Sequence, residues 1–209
     1  RDRAPARELF ELPDAGRVVD ALKQAALIYF SGITLSLYSA GGLDLFEAAL
    51  KAAKQSGALV AMDSNYRPRG WGGDTARAQR TFERFWRIAD IALPTFDDEQ
   101  ALWGDADVQA TVRRLQAVGV TEIVIKLGAQ GAYVTENGSG RIVPAESGVK
   151  PVDTTAAGDS FNAGYLVARR SGAGLADAAR LGNRLAAVVI QHRGAIVPKA
   201  ATAPVLGAT

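Results

Sequence analysis

Short runs of apolar residues alternate along this chain with longer segments in which apolar residues recur at helical spacing. The short runs predict strands, which lie at residues 27–30, 58–62, 91–93 and 123–127. A hairpin is predicted from residues 132–135 and 141–143, with its turn at Asn137-Gly138. The longer segments predict helices at residues 43–55, 74–86 (with Asp74 as the N-cap), 96–103, 108–118, 157–170 and 175–191.

Strands that alternate with helices of this length are typical of βαβ units, in which helices cover a parallel sheet. No Pro-, Gly- or Ser-rich linker interrupts the alternation, so we predict a single α/β domain over residues 1–209 with a mostly parallel sheet. The alanine-rich end, Pro198 to Thr209, is predicted to be loose.

Composition and charge exclude several classes of function. The 209 residues are 48% hydrophobic and 22% charged, which is typical of a globular protein. The net charge is only +2 and no long basic cluster occurs, so a nucleic-acid partner is not expected. No apolar run reaches the ~18 residues of a membrane span. Cysteine is absent and His192 is the single histidine, which excludes disulfides, Cys zinc sites and two-His metal sites. The lack of cysteine fits a reducing compartment, and we expect a cytoplasmic protein.

One segment stands out chemically, because small residues lead into an apolar helix that carries an acid in its first turn. It runs from Val152 to Phe161, with Asp159 as the acid. The backbone N–H groups of such a helix start favour an anion. Asp159 is placed to accept a proton from a hydroxyl that attacks a phosphoryl group at those amides. The alternative is that Asp159 only caps its helix. Neither a Walker A loop nor a complete G-x-G-x-x-G accompanies this segment.

Residues 153–161, D-T-T-A-A-G-D-S-F, resemble the D-T-x-G-A-G-D-x-F signature of the ribokinase-like (pfkB) carbohydrate kinases. The match has one departure, since Ala156 stands where the family usually has Gly. The resemblance implies that Asp159 is the catalytic base, and that the amides of Ala157, Gly158 and Asp159 stabilise the transferring phosphoryl group.

Two further segments resemble parts of the family that handle ATP. Residues 125–132, I-K-L-G-A-Q-G-A, resemble a strand and glycine turn that border the nucleotide, which implies nucleotide contacts for Lys126, Gly128 and Gly131. A plain β-turn is the alternative. Asn183 resembles a family position near the adenine, with a solvated helix face as the alternative.

Residues 93–99, L-P-T-F-D-D-E, lie where the family carries an N-x-x-E motif that organises Mg²⁺ through water. Thr95 replaces the Asn, Asp98 matches the acid and Glu99 follows it. The resemblance therefore implies ATP and Mg²⁺ as cofactors, with Asp98 and Glu99 acting on the ion indirectly. Capping of the helix N-terminus is compatible with this role.

A segment after the predicted strand at 58–62 bears on the substrate. Ligands of open α/β sheets bind at the carboxyl ends of strands, and Arg67 is suited to grip a carboxylate with two hydrogen bonds. Residues 63–71 resemble the D-x-N-Y-R-x-x-x-W segment of the 2-keto-3-deoxygluconate kinases of this family, whose Arg binds the sugar acid. Ile33 and Arg1 match further substrate positions of that subgroup. The alternatives are a structural ion pair for Arg67, a core position for Ile33 and a frayed end for Arg1.

The resemblance covers the whole chain and implies a three-layer ribokinase-like α/β core. It also implies that the chain is the C-terminal two-thirds of such a kinase, without the opening strands and the small β lid. The expected activity is phosphorylation of the primary hydroxyl of 2-keto-3-deoxygluconate, with a sugar acid and ATP as partners and a homo-oligomer as a further expectation. A kinase of a neutral sugar such as fructose, and a binding-only sugar sensor, remain as alternatives.

Overall fold

The structure of the chain is a computed structural model that describes residues 5–136 and 139–207. The chain divides into two compact units, Arg1–Ile123 and Val124–Thr209. The predicted hairpin turn at Asn137-Gly138 and the substrate candidate Arg1 lie outside the described residues.

The elements follow one another in the alternating order that the apolar pattern predicts. The strands are β1 (Leu27–Ser31), β2 (Leu59–Asp63), β3 (Ile91–Ala92), β4 (Glu122–Lys126), β5 (Ala132–Glu136) and β6 (Ser139–Val143). The helices of the first unit are α1 (Ala15–Lys23), α2 (Gly32–Leu37), α3 (Ala40–Gln55), α4 (Thr75–Trp86), α5 (Phe96–Trp103) and α6 (Val108–Ala117). Those of the second unit are α7 (Ala157–Arg170), α8 (Leu175–Val189) and α9 (Lys199–Leu206).

The strands lie in sequence order in a mostly parallel sheet. β1, β2, β3 and the start of β4 pair in parallel, with Ser31 opposite Asp63 at the last position of β1 and β2. The end of β4 pairs with β5, and β5 with β6, in antiparallel fashion. The carboxyl ends of β1 and β2 therefore meet at one edge, which brings the segments after Ser31 and Asp63 side by side.

Aromatic side chains build the core of the first unit around the helices that flank its strands. The Phe30 ring of β1 lies edge-on to those of Phe46 in α3 and Phe85 in α4, with centroids 5.0 and 5.8 Å apart. Both helices bury their apolar stripe, as their spacing predicts. The N-cap role predicted for Asp74 is confirmed, since its Oδ1 accepts a hydrogen bond from Arg77 N at 2.8 Å.

The second unit is built on a close crossing of α7 and α8. A Cβ added to Gly164 would lie 3.1 Å from Gly182 Cα, and one added to Gly182 would lie 2.8 Å from the Phe161 carbonyl oxygen. Side chains at either position would force the helices apart. α7 is thereby held firmly at the turn that carries the signature segment.

The expectation of a loose C-terminal end is wrong for residues 199–206, which form α9. Its half-buried residues, Val205 among them, lie near α8, so packing stabilises a segment that is too short to be helical alone. α1 and α2 were also not predicted from the apolar pattern. No helix among residues 5–136 and 139–207 has the length and apolar character needed to cross a membrane.

Candidate active site

The first candidate segment, after β1, packs directly on the segment after β2. Gly32 N donates to the Ser64 carbonyl at 3.1 Å, and a Cβ on Gly32 would lie 2.1 Å from that same oxygen. Only glycine permits this approach. Ile33, the next residue, has 40% of its surface exposed, which contradicts the alternative that it is a core residue. Ile33 is therefore presented at the sheet edge where the segment with Arg67 begins.

The second candidate segment turns sharply at Asn65. This residue has φ +37°, and its N–H donates to Asp63 Oδ1 at 3.1 Å. Its own side-chain oxygen, Oδ1, is buried and accepts no hydrogen bond from the described residues. Asn tolerates the left-handed region better than most residues, although at some cost. The turn redirects the chain so that Tyr66 is buried and Arg67 is exposed.

Arg67 is held on one side of its guanidinium group only. Its Nη1 donates to the Tyr66 carbonyl at 2.8 Å and lies 3.4 Å from Asp98 Oδ1. Within the described parts of the chain, Nε and Nη2 have no hydrogen-bond partner. Such a pair of N–H groups can grip a carboxylate in bidentate fashion. The structural ion pair that was the alternative for Arg67 is therefore formed by Nη1. The edge with Nε and Nη2 is available to a ligand.

Asp98 lies in the first turn of α5 and joins that helix to the segment with Arg67. In addition to the contact with Arg67, its Oδ2 accepts a hydrogen bond from Tyr66 N at 3.1 Å. The Asp98 side chain is 18% exposed. At this position the Asp98 carboxylate can both stabilise the N-terminus of α5 and orient Arg67.

Glu99, the other acid expected to act on Mg²⁺, is fully buried. Its Oε2 accepts a hydrogen bond from Arg114 Nη2 at 2.5 Å. The same Nη2 donates to Asp105 Oδ2 at 2.6 Å, and Arg114 Cζ lies 4.5 Å from the centre of the Trp103 ring. Burial raises the pKa of Glu99 to about 7, against the lowering influence of Arg114 and of the nearby Ser64 side chain. These contacts give Glu99 a role in anchoring α5. Among the described residues, no group of three His, Asp or Glu side chains is arranged to hold a metal.

In the second unit, the start of α7 is an open helix N-terminus. Ala156 is the N-cap with φ +63°, and it provides no side-chain acceptor. The N–H of Ala157 donates to the Thr154 carbonyl at 3.1 Å, whereas those of Gly158 and Asp159 have no acceptor among the described residues. The Asp159 side chain is exposed in this first turn. Two amides and an accessible carboxylate are thus presented together.

The loop that leads into α7 is fixed by Asp153. Its Oδ1 accepts from Thr155 N at 2.9 Å, and its Oδ2 accepts from Gly194 N, beyond the end of α8, at 2.8 Å. Hydrogen bonds from the side chain and the backbone of Thr155, and from the backbone of Gly194, lower the pKa of Asp153 to about 2. Asp153 therefore remains ionised at neutral pH and holds the helix start in place.

Lys126 lies beside the same helix start. Its side chain is buried and its Nζ donates to Asn162 Oδ1 at 3.2 Å. A Cβ built on Gly158 would lie 3.4 Å from this Nζ, so the ammonium group approaches the first turn of α7. A cation at a helix N-terminus adds to its positive potential, and the two together suit a phosphate group. Asn162 was not predicted; its only signal is a polar residue within the apolar stripe of α7.

The glycine turn after β4 is more than a plain β-turn. A Cβ on Gly131 would lie 2.1 Å from the Val143 carbonyl oxygen, and Gly131 has φ +100°. Gly128, at φ +56°, has open space around its Cα. The predicted nucleotide residue Asn183 is buried, so the alternative of a solvated helix face is wrong. Its Nδ2 donates to the carbonyls of Val143 and Pro144 at 3.1 and 2.9 Å, so Asn183 and Gly131 support the same stretch of backbone.

Comparisons with known proteins identify the family and the fold of this chain. The model of the pfkB family carbohydrate kinases matches residues 3–202. The chain is 41% identical over 201 residues to a 2-dehydro-3-deoxygluconokinase of Dickeya dadantii, covering 95% of this chain and 64% of that protein. It is 38% identical over 204 residues to the enzyme of the same name from Escherichia coli K12, covering 96% and 66%. The chain thus spans about two thirds of the length of these relatives.

A solved structure shows the fold with nucleotide bound. Aminoimidazole riboside kinase from Salmonella enterica, complexed with aminoimidazole riboside and an ATP analog, superposes with a TM-score of 0.75 at 27% identity, over 87% of this chain and 63% of that one. With the family model matched over nearly the whole sequence and the signature at the start of α7, the chain belongs to the pfkB family of carbohydrate kinases.

Proposed function

We propose that this protein uses ATP to phosphorylate the primary hydroxyl of a sugar acid, 2-keto-3-deoxygluconate (also called 2-dehydro-3-deoxygluconate), to give its 6-phosphate. The observation that carries the substrate class is Arg67, whose Nε and Nη2 edge has no partner within the described residues while Nη1 is held by Tyr66 and Asp98. An oriented guanidinium edge is suited to a carboxylate and gives a neutral sugar much less. The names of the relatives support the same substrate.

The residues of the second unit fit a nucleotide phosphate. The open N–H groups of Gly158 and Asp159 and the adjacent Lys126 provide donors and positive charge without a competing side-chain cap. By the family resemblance, Gly128 and Gly131 border the nucleotide. Mg²⁺ keeps most of its waters and binds phosphate oxygens in preference to a full protein cage. When bound, Mg²⁺·ATP supplies the phosphoryl group and neutralises its charge.

In the proposed reaction Asp159 accepts the proton of the attacking hydroxyl. A bond forms between the sugar oxygen and the terminal phosphorus, the bond from that phosphorus to the leaving ADP oxygen breaks, and the proton passes to the Asp159 carboxylate. The Gly158 and Asp159 amides donate to the oxygens on which charge develops. Lys126 adds positive charge at the same helix start, and Asn162 holds its ammonium group. Of the two acids expected near Mg²⁺, we retain Asp98, because the Glu99 side chain is fully buried and its Oε2 is paired with Arg114.

A kinase of a neutral sugar is the second candidate. The contact between Arg67 and Asp98 favours it, because an acid of the chain already neutralises part of the guanidinium charge. In that case Arg67 serves the structure of the turn and the substrate bears no carboxylate.

Release of ADP by the full-length protein with ATP and Mg²⁺ separates these candidates, with 2-keto-3-deoxygluconate, fructose and ribose compared. Turnover of the sugar acid alone, together with a loss of about hundredfold in kcat/KM for Arg67→Met, is the expected result. Turnover of a neutral sugar alone would reject the substrate assignment. Binding of the sugar acid without any ADP release would instead indicate a sugar sensor.

A further inference from the structure

Asp98, in the first turn of α5, contacts the segment after β2 that carries Arg67. Its two carboxylate oxygens have different partners on that segment: Oδ2 accepts from Tyr66 N at 3.1 Å and Oδ1 faces Arg67 Nη1 at 3.4 Å. The first contact fixes the backbone immediately before Arg67, and the second fixes the direction of its side chain. Asp98 is mostly buried, with 18% of its side chain exposed, whereas the Arg67 side chain is 59% exposed.

The Arg67 side chain needs such a guide. An exposed arginine samples many rotamers, and ordering it when a ligand binds costs affinity. Arg67 Nη1 has two acceptors, the Tyr66 carbonyl and Asp98 Oδ1, and both lie on the same side of the guanidinium group. With Nη1 occupied, the edge formed by Nε and Nη2 has no partner among the described residues and is left to a ligand.

We infer that Asp98 is the positioning residue for Arg67, and that it sets the preference for an anionic over a neutral sugar by holding the guanidinium edge ready for a carboxylate. This inference rests on the proposed function and deepens it. It gives Asp98 a role that does not depend on Mg²⁺, because the contacts that carry it join protein groups only.

Binding without nucleotide and without Mg²⁺ tests the inference, since any effect of Asp98 on the ion is then removed. The dissociation constant of 2-keto-3-deoxygluconate is measured by calorimetry for the full-length protein and for Asp98→Ala. The matched control is Asp97→Ala, which removes an exposed carboxylate from the same helical turn. We expect Asp98→Ala to weaken binding about tenfold, the cost of ordering one long side chain, and Asp97→Ala to change it less than twofold.

A double-mutant cycle decides whether Asp98 acts through Arg67. In the Arg67→Met background, Asp98→Ala is expected to change the dissociation constant less than twofold. An effect that persists there at its full size, or tighter binding by the Asp98→Ala single variant, would overturn the inference. Binding of fructose by the same variants is measured without nucleotide and Mg²⁺, and an equal weakening for both sugars in Asp98→Ala would also overturn the inference.

The order of the Arg67 side chain gives a readout that needs no substrate. In the free protein, the Arg67 Nε–H resonance is expected to show a rigid side chain in the wild type and in Asp97→Ala, and a mobile one in Asp98→Ala. If the side chain is equally mobile in all three, the positioning role is rejected, whatever the substrate proves to be. If Arg67 is ordered by Asp98 but the wild type binds no sugar acid, the positioning stands, and both the proposed substrate and the role in selecting an anionic sugar are rejected.

Discussion

Glu99 and Arg114 form an ion pair at 2.5 Å in which the carboxylate is completely buried. The pair joins α5 to α6, and Asp105 extends it on the Arg114 side. Because α5 also carries Asp98, this buried pair determines where the residue facing Arg67 is placed. Removing one partner of such a buried pair strongly destabilises the folded protein, because the other charge is left without compensation.

Stability is expected to depend on the protonation of Glu99. Its pKa is raised from 4.5 to about 7, so the folded state binds more protons than the unfolded state between these values. The free energy of unfolding should therefore fall, through this group, as the pH rises from about 4.5 to 7, by at most about 3 kcal/mol. Urea unfolding at pH 5, 6, 7 and 8 measures this fall, which Glu99→Gln should remove. The exposed Glu83→Gln serves as the control, and an unchanged pH profile in Glu99→Gln would reject the raised pKa.

Ala156→Gly is expected to stabilise the protein by about 1 kcal/mol. Ala156 has φ +63°, a conformation that costs an alanine about 1–2 kcal/mol, and part of the gain is offset by the greater entropy of glycine in the unfolded state. The control is Ala101→Gly at an exposed position inside α5, which should destabilise by about 1 kcal/mol. The midpoints of urea unfolding give both values. A loss of stability in Ala156→Gly would contradict the left-handed conformation.

The two glycines of the turn after β4 should respond differently to alanine. Gly131→Ala places a Cβ against the Val143 carbonyl, whereas Gly128→Ala meets open space and strains only its own backbone. Gly128→Ala should cost about 1–2 kcal/mol, and Gly131→Ala at least about 2 kcal/mol more. Thermal or urea unfolding of the two variants measures the difference. Equal losses would show that the backbone around Val143 adjusts freely.

Asp159→Asn is expected to reduce kcat by about 10²–10⁴-fold, because the amide cannot accept the proton of the attacking hydroxyl. The affinity for ATP and the stability should change little, since the Asp159 side chain is exposed at the start of α7. Asp177→Asn, in the first turn of α8, is the matched control for a lost helix-end charge and should retain turnover. Retained turnover in Asp159→Asn would remove the role of base from this residue.

Features that depend on neighbours in the chain could be predicted from the sequence. Local apolar spacing predicts the strands around Phe30 and Ile125. Capping and turn residues predict the helix that begins after Asp74 and the small-residue start of α7. The family signature around Asp159 could also be predicted from the sequence, because the residues of one helix turn provide both the amides and the acid. α9 was missed because it depends on packing against α8 and contains Pro204.

Contacts between distant segments were decided only by the tertiary structure. Arg67 and Asp98 are 31 residues apart, and Asn183 reaches Val143 across 40 residues. The sequence marks Arg67, Asp98 and Asn183 as polar, but polarity does not tell whether a side chain faces solvent, a ligand or a buried carbonyl. Burial pairs Glu99 with Arg114 and leaves Asp98 beside Arg67, although the two acids are adjacent in the chain. The amino-acid order by itself determined which chemical groups the protein possesses and which elements carry them, because strand and helix formation depend on near neighbours. Only the packing of the sheet and helices decided which of these groups are buried and which are accessible to a substrate.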